Sequence, residues 1–300
     1  MSTVAALQMA SGPNVQANLL EAERLVADAA RKGACLAVLP ENFALMGHKE
    51  EDKLAIAEQP GTGPIQAFLE QTARRYGLWL VGGTLPMACE DPKRVMSACL
   101  VYDDQGTQRL RYDKLHLFDV QIPGRGDGAG EAYAESETVR PGQRVAVTDT
   151  PCGRMGVAVC YDLRFPELFR SMQTEGVDLV AVPSAFTAAT GRAHWDLLVR
   201  ARAVENLAYV IAAAQGGYHI NGRSTWGHSM VVDPWGTVLS TLPQGSGVVT
   251  ATVDRTQQER TRKHFPALKH RRLTCELAPR PAAHGLFGRP KRVSATSSST

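Results

Sequence analysis

Residues 155–167 (MGVAVCYDLRFPE) read as an apolar strand, a sharp polar turn and then a helix opening near Pro166, because proline suits the first helical turn. Cys160 falls at the bend. A nucleophile there is exposed at a strand end, and the backbone N–H groups that follow it can hold a developing oxyanion. Two other polar residues occupy comparable places: Glu41 closes the apolar run 35–39 after Pro40, and Lys114 follows the strand-like run 109–112. A thiol to attack, a carboxylate to take its proton and an ammonium to face the oxyanion make a complete acyl-transfer set. Each also has a plainer reading, Cys160 as a small buried hydrophobe and Glu41 and Lys114 as solvated loop charges.

These residues can act together only if the elements carrying them end on one rim, which a layered α/β domain provides. Residues 4–8 read as a strand, and Val15, Leu19, Ala22, Val26 and Ala29 then share a helical face before the stop at Gly33. A second helix carries Ile65, Phe68, Leu69, Thr72 and Tyr76, closes at Gly77 and feeds a strand at 78–81. An internal echo is more informative. Residues 36–43 (LAVLPENF) pattern with 179–186 (LVAVPSAF), while at a constant offset of 130, residues 73–83 pattern with 203–213 and 97–107 with 227–237. The last pair share a D-x-x-G-T ending, a turn signal. Two similar halves, each a sheet with helices on one side, can bury their free faces against each other. The expected fold is α/β, a four-layer α-β-β-α sandwich with internal pseudo-two-fold symmetry. After residue 253 the strands stop, and 256–269 could form a polar helix. Residues 279–300 have the Pro, Ser, Thr and basic composition of a disordered end. The expected division is a catalytic domain over 1–275 and a basic tail over 276–300.

The blocks LPEN (39–42), YDKLHLFD (112–119) and VCYDLRFPE (159–167) resemble the three active-site blocks of the nitrilase superfamily of carbon-nitrogen hydrolases, in order and at family-like spacing. The resemblance implies Cys160 as nucleophile, Glu41 as general base and Lys114 as oxyanion stabiliser, with the backbone N–H of Tyr161 beside it. It also implies the four-layer sandwich and a second active-site glutamate in a Glu-Ser block, which Glu135-Ser136 fits; Glu131 and Glu137 are the neighbours that could be mistaken for it. Within the superfamily, residues 183–195, 213–219 and 226–236 look like the deaminated glutathione amidase group more than the omega-amidase group. By the same resemblance Arg164, Phe186 and Thr190 line the substrate pocket. Arg164 is also chemically a candidate fork for a substrate carboxylate, its alternative being a surface pair with Glu167. The expectation is a cofactor-independent amidase acting on a small carboxylate-bearing amide such as deaminated glutathione, through a thioester and with release of ammonia. The alternatives are an omega-amidase acting on 2-oxoglutaramate, a nitrilase or an N-carbamoyl amino acid hydrolase.

With 44% hydrophobic and 21% charged residues, the 300-residue chain excludes a fibre or a wholly disordered protein. Its longest aliphatic stretch falls far short of the roughly 20 apolar residues needed to cross a bilayer. The net charge of +3 hides a split, since residues 260–300 hold ten bases against Glu276 alone, +9, and leave a body of −6. A basic tail could make this an interaction or nucleic-acid-binding protein, but it lacks interleaved aromatics, and nucleic acid is not the expected partner. Six cysteines without CxxC spacing read as reduced thiols, and the N-terminus lacks secretory features, so a cytoplasmic location is expected. A homodimer or higher homo-oligomer is expected as well. His116, His194, His219 and His228 form no HExxH or tight ligand cluster, so no metal is expected. His194 with Trp195 reads as opening a helix. The glycine-rich run 124–130 lacks a phosphate-binding context.

Overall fold

The computed structural model describes residues 1–122 and 130–275. The chain begins β1 (Ser2–Gln8), α1 (Val15–Arg31), β2 (Ala34–Val38), α2 (Asp52–Ala55), α3 (Pro64–Tyr76), β3 (Trp79–Val81), β4 (Leu85–Ala88), β5 (Val95–Tyr102), β6 (Gln108–Asp113), β7 (Asp119–Ile122), β8 (Glu131–Ala134) and β9 (Val139–Arg140). It continues β10 (Val147–Thr150), β11 (Gly153–Val157), α4 (Pro166–Thr174), β12 (Leu179–Ser184), α5 (Ala188–Asn206), β13 (Tyr209–Ala214), β14 (Gly216–Tyr218), β15 (Ser224–Trp226), β16 (Ser229–Val232), β17 (Val238–Leu242), β18 (Gly247–Val253) and α6 (Arg255–His264).

Two sheets carry the fold. One runs β18-β1-β2-β3-β5-β4, with β6 also paired to β5, and the other runs β10-β11-β12-β13-β16-β17. Their pairing senses repeat: β1-β2-β3 are mutually parallel with β5 antiparallel beside them, as are β11-β12-β13 with β16. Strand periodicity divides the side chains between layers. From β1, Val4 and Ala6 join the core between the sheets, while Ala5 and Leu7 join a second core with Leu25 and Val26 of α1 and Leu69 of α3. On the other sheet, Phe169 of α4 and Val199 of α5 close the far layer. The order is α1/α3, sheet, sheet, α4/α5, the expected four-layer sandwich.

The offset of 130 reappears in backbone geometry. Asp103 Oδ1 accepts from the N–H of Gln105 and Thr107 at 3.0 and 2.8 Å, and Asp233 Oδ1 accepts from Trp235 and Thr237 at 2.8 and 2.8 Å. Gly106 and Gly236 take φ of +77° and +88° in the two turns. The equivalent helices end alike too, α3 at Gly77 (φ +59°) and α5 at Leu207 (φ +46°).

Two expectations change. The polar helix is shorter, ending at His264 where Phe265-Pro266 interrupts it, and a 3₁₀ turn follows at Ala267–His270. His194 does not open a helix; Thr187 caps α5 by accepting from the Thr190 N–H, so His194 lies two turns inside. Cys35 and Cys152 are free thiols with sulfurs 3.0 Å apart. The basic tail 276–300 and all of the glycine-rich run except Gly130 lie outside the described residues. Among the described residues no helix is long and apolar enough to cross a membrane, and no group of three His, Cys, Asp or Glu is placed to hold a metal.

Candidate active site

Glu41 follows β2 in a tight bend. Asn42 takes a positive φ of +58° and its N–H donates to Thr84 Oγ1 at 2.8 Å, while the Glu41 carbonyl accepts from Gln215 Nε2 at 3.0 Å. Gly83 is required beside it, since a Cβ there would lie 2.1 Å from the Pro40 carbonyl oxygen. Lys114 follows β6, its backbone held by Ser97 and Gly142. Glu135 opens a 3₁₀ turn, Glu135–Glu137, after the β7–β8 hairpin. The three side chains meet in the interior, Lys114 Nζ standing 2.8 Å from Glu41 Oε1 and 3.0 and 2.8 Å from the two oxygens of Glu135. Glu135 Oε2 also accepts from the Phe118 N–H at 2.7 Å. Glu131 and Glu137 make no contact with Lys114 among the described residues; Glu131 pairs with the Tyr133 hydroxyl.

Cys160 begins a 3₁₀ helix, Cys160–Arg164, with φ +48°. This left-handed geometry is uncommon for a residue bearing a Cβ and is a form of strain that accumulates at functional sites. Asp162 holds the bend. One of its oxygens accepts from the Val159 N–H at 2.8 Å and the Tyr112 hydroxyl at 2.7 Å, and the other meets His116 through its backbone N–H at 3.1 Å and ring Nδ1 at 2.6 Å. The bend that presents the thiol is thus tied to the strand that presents the ammonium. Sequence reasoning missed this role for Asp162, Tyr112 and His116. The available signal was spacing: Tyr112 and His116 flank Lys114 by two residues each, as Asp162 follows Cys160 by two.

Burial sets the proton inventory. It pushes the Cys160 thiol well above the usual range, and the neighbouring Glu41 carboxylate adds to the rise while Lys114 opposes it. Burial alone would pull Lys114 down, but the charges of Glu135, Glu41 and Cys160 outweigh it and hold the ammonium well above its ordinary value. For Glu135 burial acts upward, and Lys114 and Lys53 outweigh it, so its carboxyl is held below the ordinary range. The resting site therefore holds a thiol and an ammonium beside ionised Glu135.

All eight expected site residues line one cavity: Glu41, Lys114, Glu135 and Cys160 with Tyr161, Arg164, Phe186 and Thr190. Arg164 lies over the rings of Tyr161 and Phe186 at 5.7 and 5.5 Å and approaches His194 Nδ1 at 3.3 Å. It pairs with no carboxylate among the described residues, Glu167 included. Asn42, Glu50, Lys53, Tyr133 and Arg223 line the same cavity and were not singled out from sequence.

The carbon-nitrogen hydrolase family model matches residues 3–263. The chain belongs to the carbon-nitrogen hydrolase family. It is 41% identical over 280 residues to a deaminated glutathione amidase of Yersinia enterocolitica, covering 93% of this chain and 96% of that one. Among solved structures it is similar to the NitFhit protein of C. elegans, at TM-score 0.81 and 35% identity over 90% of this chain and 65% of that one. It is also similar to an amidase from Nesterenkonia sp. carrying the product of Michael addition of acrylamide at its active-site cysteine, at TM-score 0.72 and 26% identity over 89% and 99% of the two chains.

Proposed function

We propose that this carbon-nitrogen hydrolase is an amidase that cleaves the γ-amide of deaminated glutathione through a thioester on Cys160. The observation that carries the reading is the Glu41–Lys114–Glu135 cluster sharing one buried cavity with Cys160. The similarity to the Yersinia enzyme supports the substrate, and the modified cysteine of the Nesterenkonia amidase supports the nucleophile.

The chemistry follows from the proton inventory. As the Cys160 sulfur attacks the amide carbon, its proton passes to Glu41. The carbonyl oxygen becomes an oxyanion facing the Lys114 ammonium and the Tyr161 N–H. Glu135 remains ionised, so Lys114 keeps a counter-charge while Glu41 is neutral. Glu41 then protonates the departing nitrogen, and in the second half-reaction it activates the water that cleaves the thioester. Arg164, which lines the same cavity, would read the carboxylate of the acyl half.

The leaving group depends on the amide. A primary amide releases ammonia, but the nitrogen of the deaminated glutathione γ-amide belongs to cysteinylglycine, so a dipeptide amine departs and 2-oxoglutarate remains. Incubating the protein with deaminated glutathione and quenching quickly should show a 2-oxoglutaryl mass increment at Cys160. The Cys160→Ala variant should lose at least about 10⁴-fold in kcat while staying folded. Turnover retained by that variant would sink the mechanism.

A further inference from the structure

The cavity that holds Cys160 adjoins an outer basin, and Asn42, Glu50, Lys53, Tyr133 and Arg223 line both. Cys160, Lys114 and Arg164 line only the inner space. This arrangement orders an extended substrate. After acyl transfer the acyl half stays on sulfur while the amine must depart, so the amine half belongs on the side toward the basin.

Arg223 stands where the two spaces adjoin. It lies in the turn between β14 and β15, its N–H donating to Asn221 Oδ1 at 3.0 Å and its carbonyl accepting from the His219 N–H at 2.8 Å. Asn221 in turn donates to the Gly47 carbonyl at 2.6 Å, pinning the turn to the opposite wall. The guanidinium lies 5.0 Å from the centroid of the Tyr133 ring. The nearby anion, Glu50, is engaged by Lys53 at 2.5 Å and lies 3.7 Å from Arg223, beyond hydrogen-bond distance. The buried Arg223 Nε has no hydrogen-bond partner among the described residues. Among the residues lining both spaces two cations stand against one anion, and the rigid fork of Arg223 is not hydrogen-bonded to a carboxylate.

We propose that Arg223 selects the leaving half of the substrate, binding the terminal carboxylate of a dipeptidyl amine that lies toward the outer basin. This rests on the reading of the enzyme as a deaminated glutathione amidase. A two-residue amine extends roughly 7 Å, so its carboxylate can be read away from the reacting carbon, and a guanidinium on an aromatic face suits a planar carboxylate.

The test compares kcat/KM for deaminated glutathione with that for the same molecule bearing a C-terminal carboxamide. Wild type should prefer the acid by about 10- to 100-fold, the range expected for a charged hydrogen bond. In Arg223→Gln the preference should fall towards one, and Arg223→Lys should retain part of it. A merely structural role would lower both substrates together and leave the ratio intact. An unchanged ratio in Arg223→Gln, or no acid preference in wild type, overturns the proposal; should Arg223→Gln not fold, an unchanged ratio in Arg223→Lys overturns it instead. Absence of any wild-type turnover of deaminated glutathione instead overturns the functional reading on which the proposal rests.

Discussion

Lys114 carries one positive charge and touches two carboxylates, and that imbalance assigns them different work. Glu135 binds it through both oxygens and has a further backbone donor, so its charge is the better held; Glu41 binds through one oxygen and also faces the thiol. Removing the Glu135 charge would leave Glu41 as the sole close counter-ion of Lys114, and the ammonium would lose the two-oxygen hold that fixes its position. Glu135→Gln should therefore reduce kcat about 100-fold, the scale of losing one preorganised electrostatic contact to the oxyanion. Steady-state rates of the variant would check this. A kcat within about threefold of wild type would contradict the division of roles. The proposed catalytic trio and Glu135 could be picked out because family-like blocks surround them, whereas Glu50, Lys53 and Arg223 could not. Glu50 and Lys53 sit together at the start of α2 and Arg223 in the β14–β15 turn, and no period or spacing links two segments that only the tertiary fold brings together.

At the scale of elements, the strand ends matter less than the ties between them. Asp162 is fully buried and accepts from groups on two segments, the Cys160 bend and the end of β6. Arg202 of α5 adds a second hold, donating to the Leu163 carbonyl at 2.9 and 2.6 Å. Truncating Asp162 would strip the acceptor from the Val159 N–H, the Tyr112 hydroxyl and His116 at once. Asp162→Ala should lower stability by about 3 kcal/mol, the scale of leaving buried donors unpaired, and Asp162→Asn by less because one acceptor oxygen survives. Urea unfolding measures the loss, and a change within 0.5 kcal/mol for Asp162→Ala, about that of an ordinary surface substitution, would show that the bend holds itself. The turns containing Asp103 and Asp233 were readable in advance because an Asx side chain and a positive-φ glycine leave a local signature. Leu207 performs the same terminating job as Gly77 without that signature. Leu207 is buried and its carbonyl accepts from Gln258 and Arg262 of α6, tertiary contacts that sequence propensity alone does not mark.

Across the whole molecule, the two halves are joined at the site by buried polar groups as well as by apolar sheet faces. Gln215 donates to the Glu41 carbonyl and to Ser11 Oγ, and His219 contacts the Ser11 carbonyl through Nδ1 at 2.8 Å and Thr225 Oγ1 through Nε2 at 2.8 Å. A carbonyl only accepts, so Nδ1 carries the proton and, in the neutral ring, Nε2 accepts from the Thr225 hydroxyl. Burial lowers the His219 pKa, the Ser11 carbonyl opposes the shift and Arg223 reinforces it. The unfolded chain would take up this proton near the ordinary value of 6.5, and the folded protein only at lower pH. Between those values the unfolded state binds more protons, so this residue makes folding less favourable as pH falls below 6.5, by at most about 1.4 kcal/mol per pH unit, and contributes no pH dependence above it. His219→Gln removes the titration, whatever fixed cost it adds by altering the contacts. The stability advantage of wild type over His219→Gln, measured by urea unfolding from pH 7.5 to 5, should therefore shrink as the pH drops. A constant offset between the two curves, or a gap that widens in acid, would show that the junction between the halves does not hold its histidine neutral.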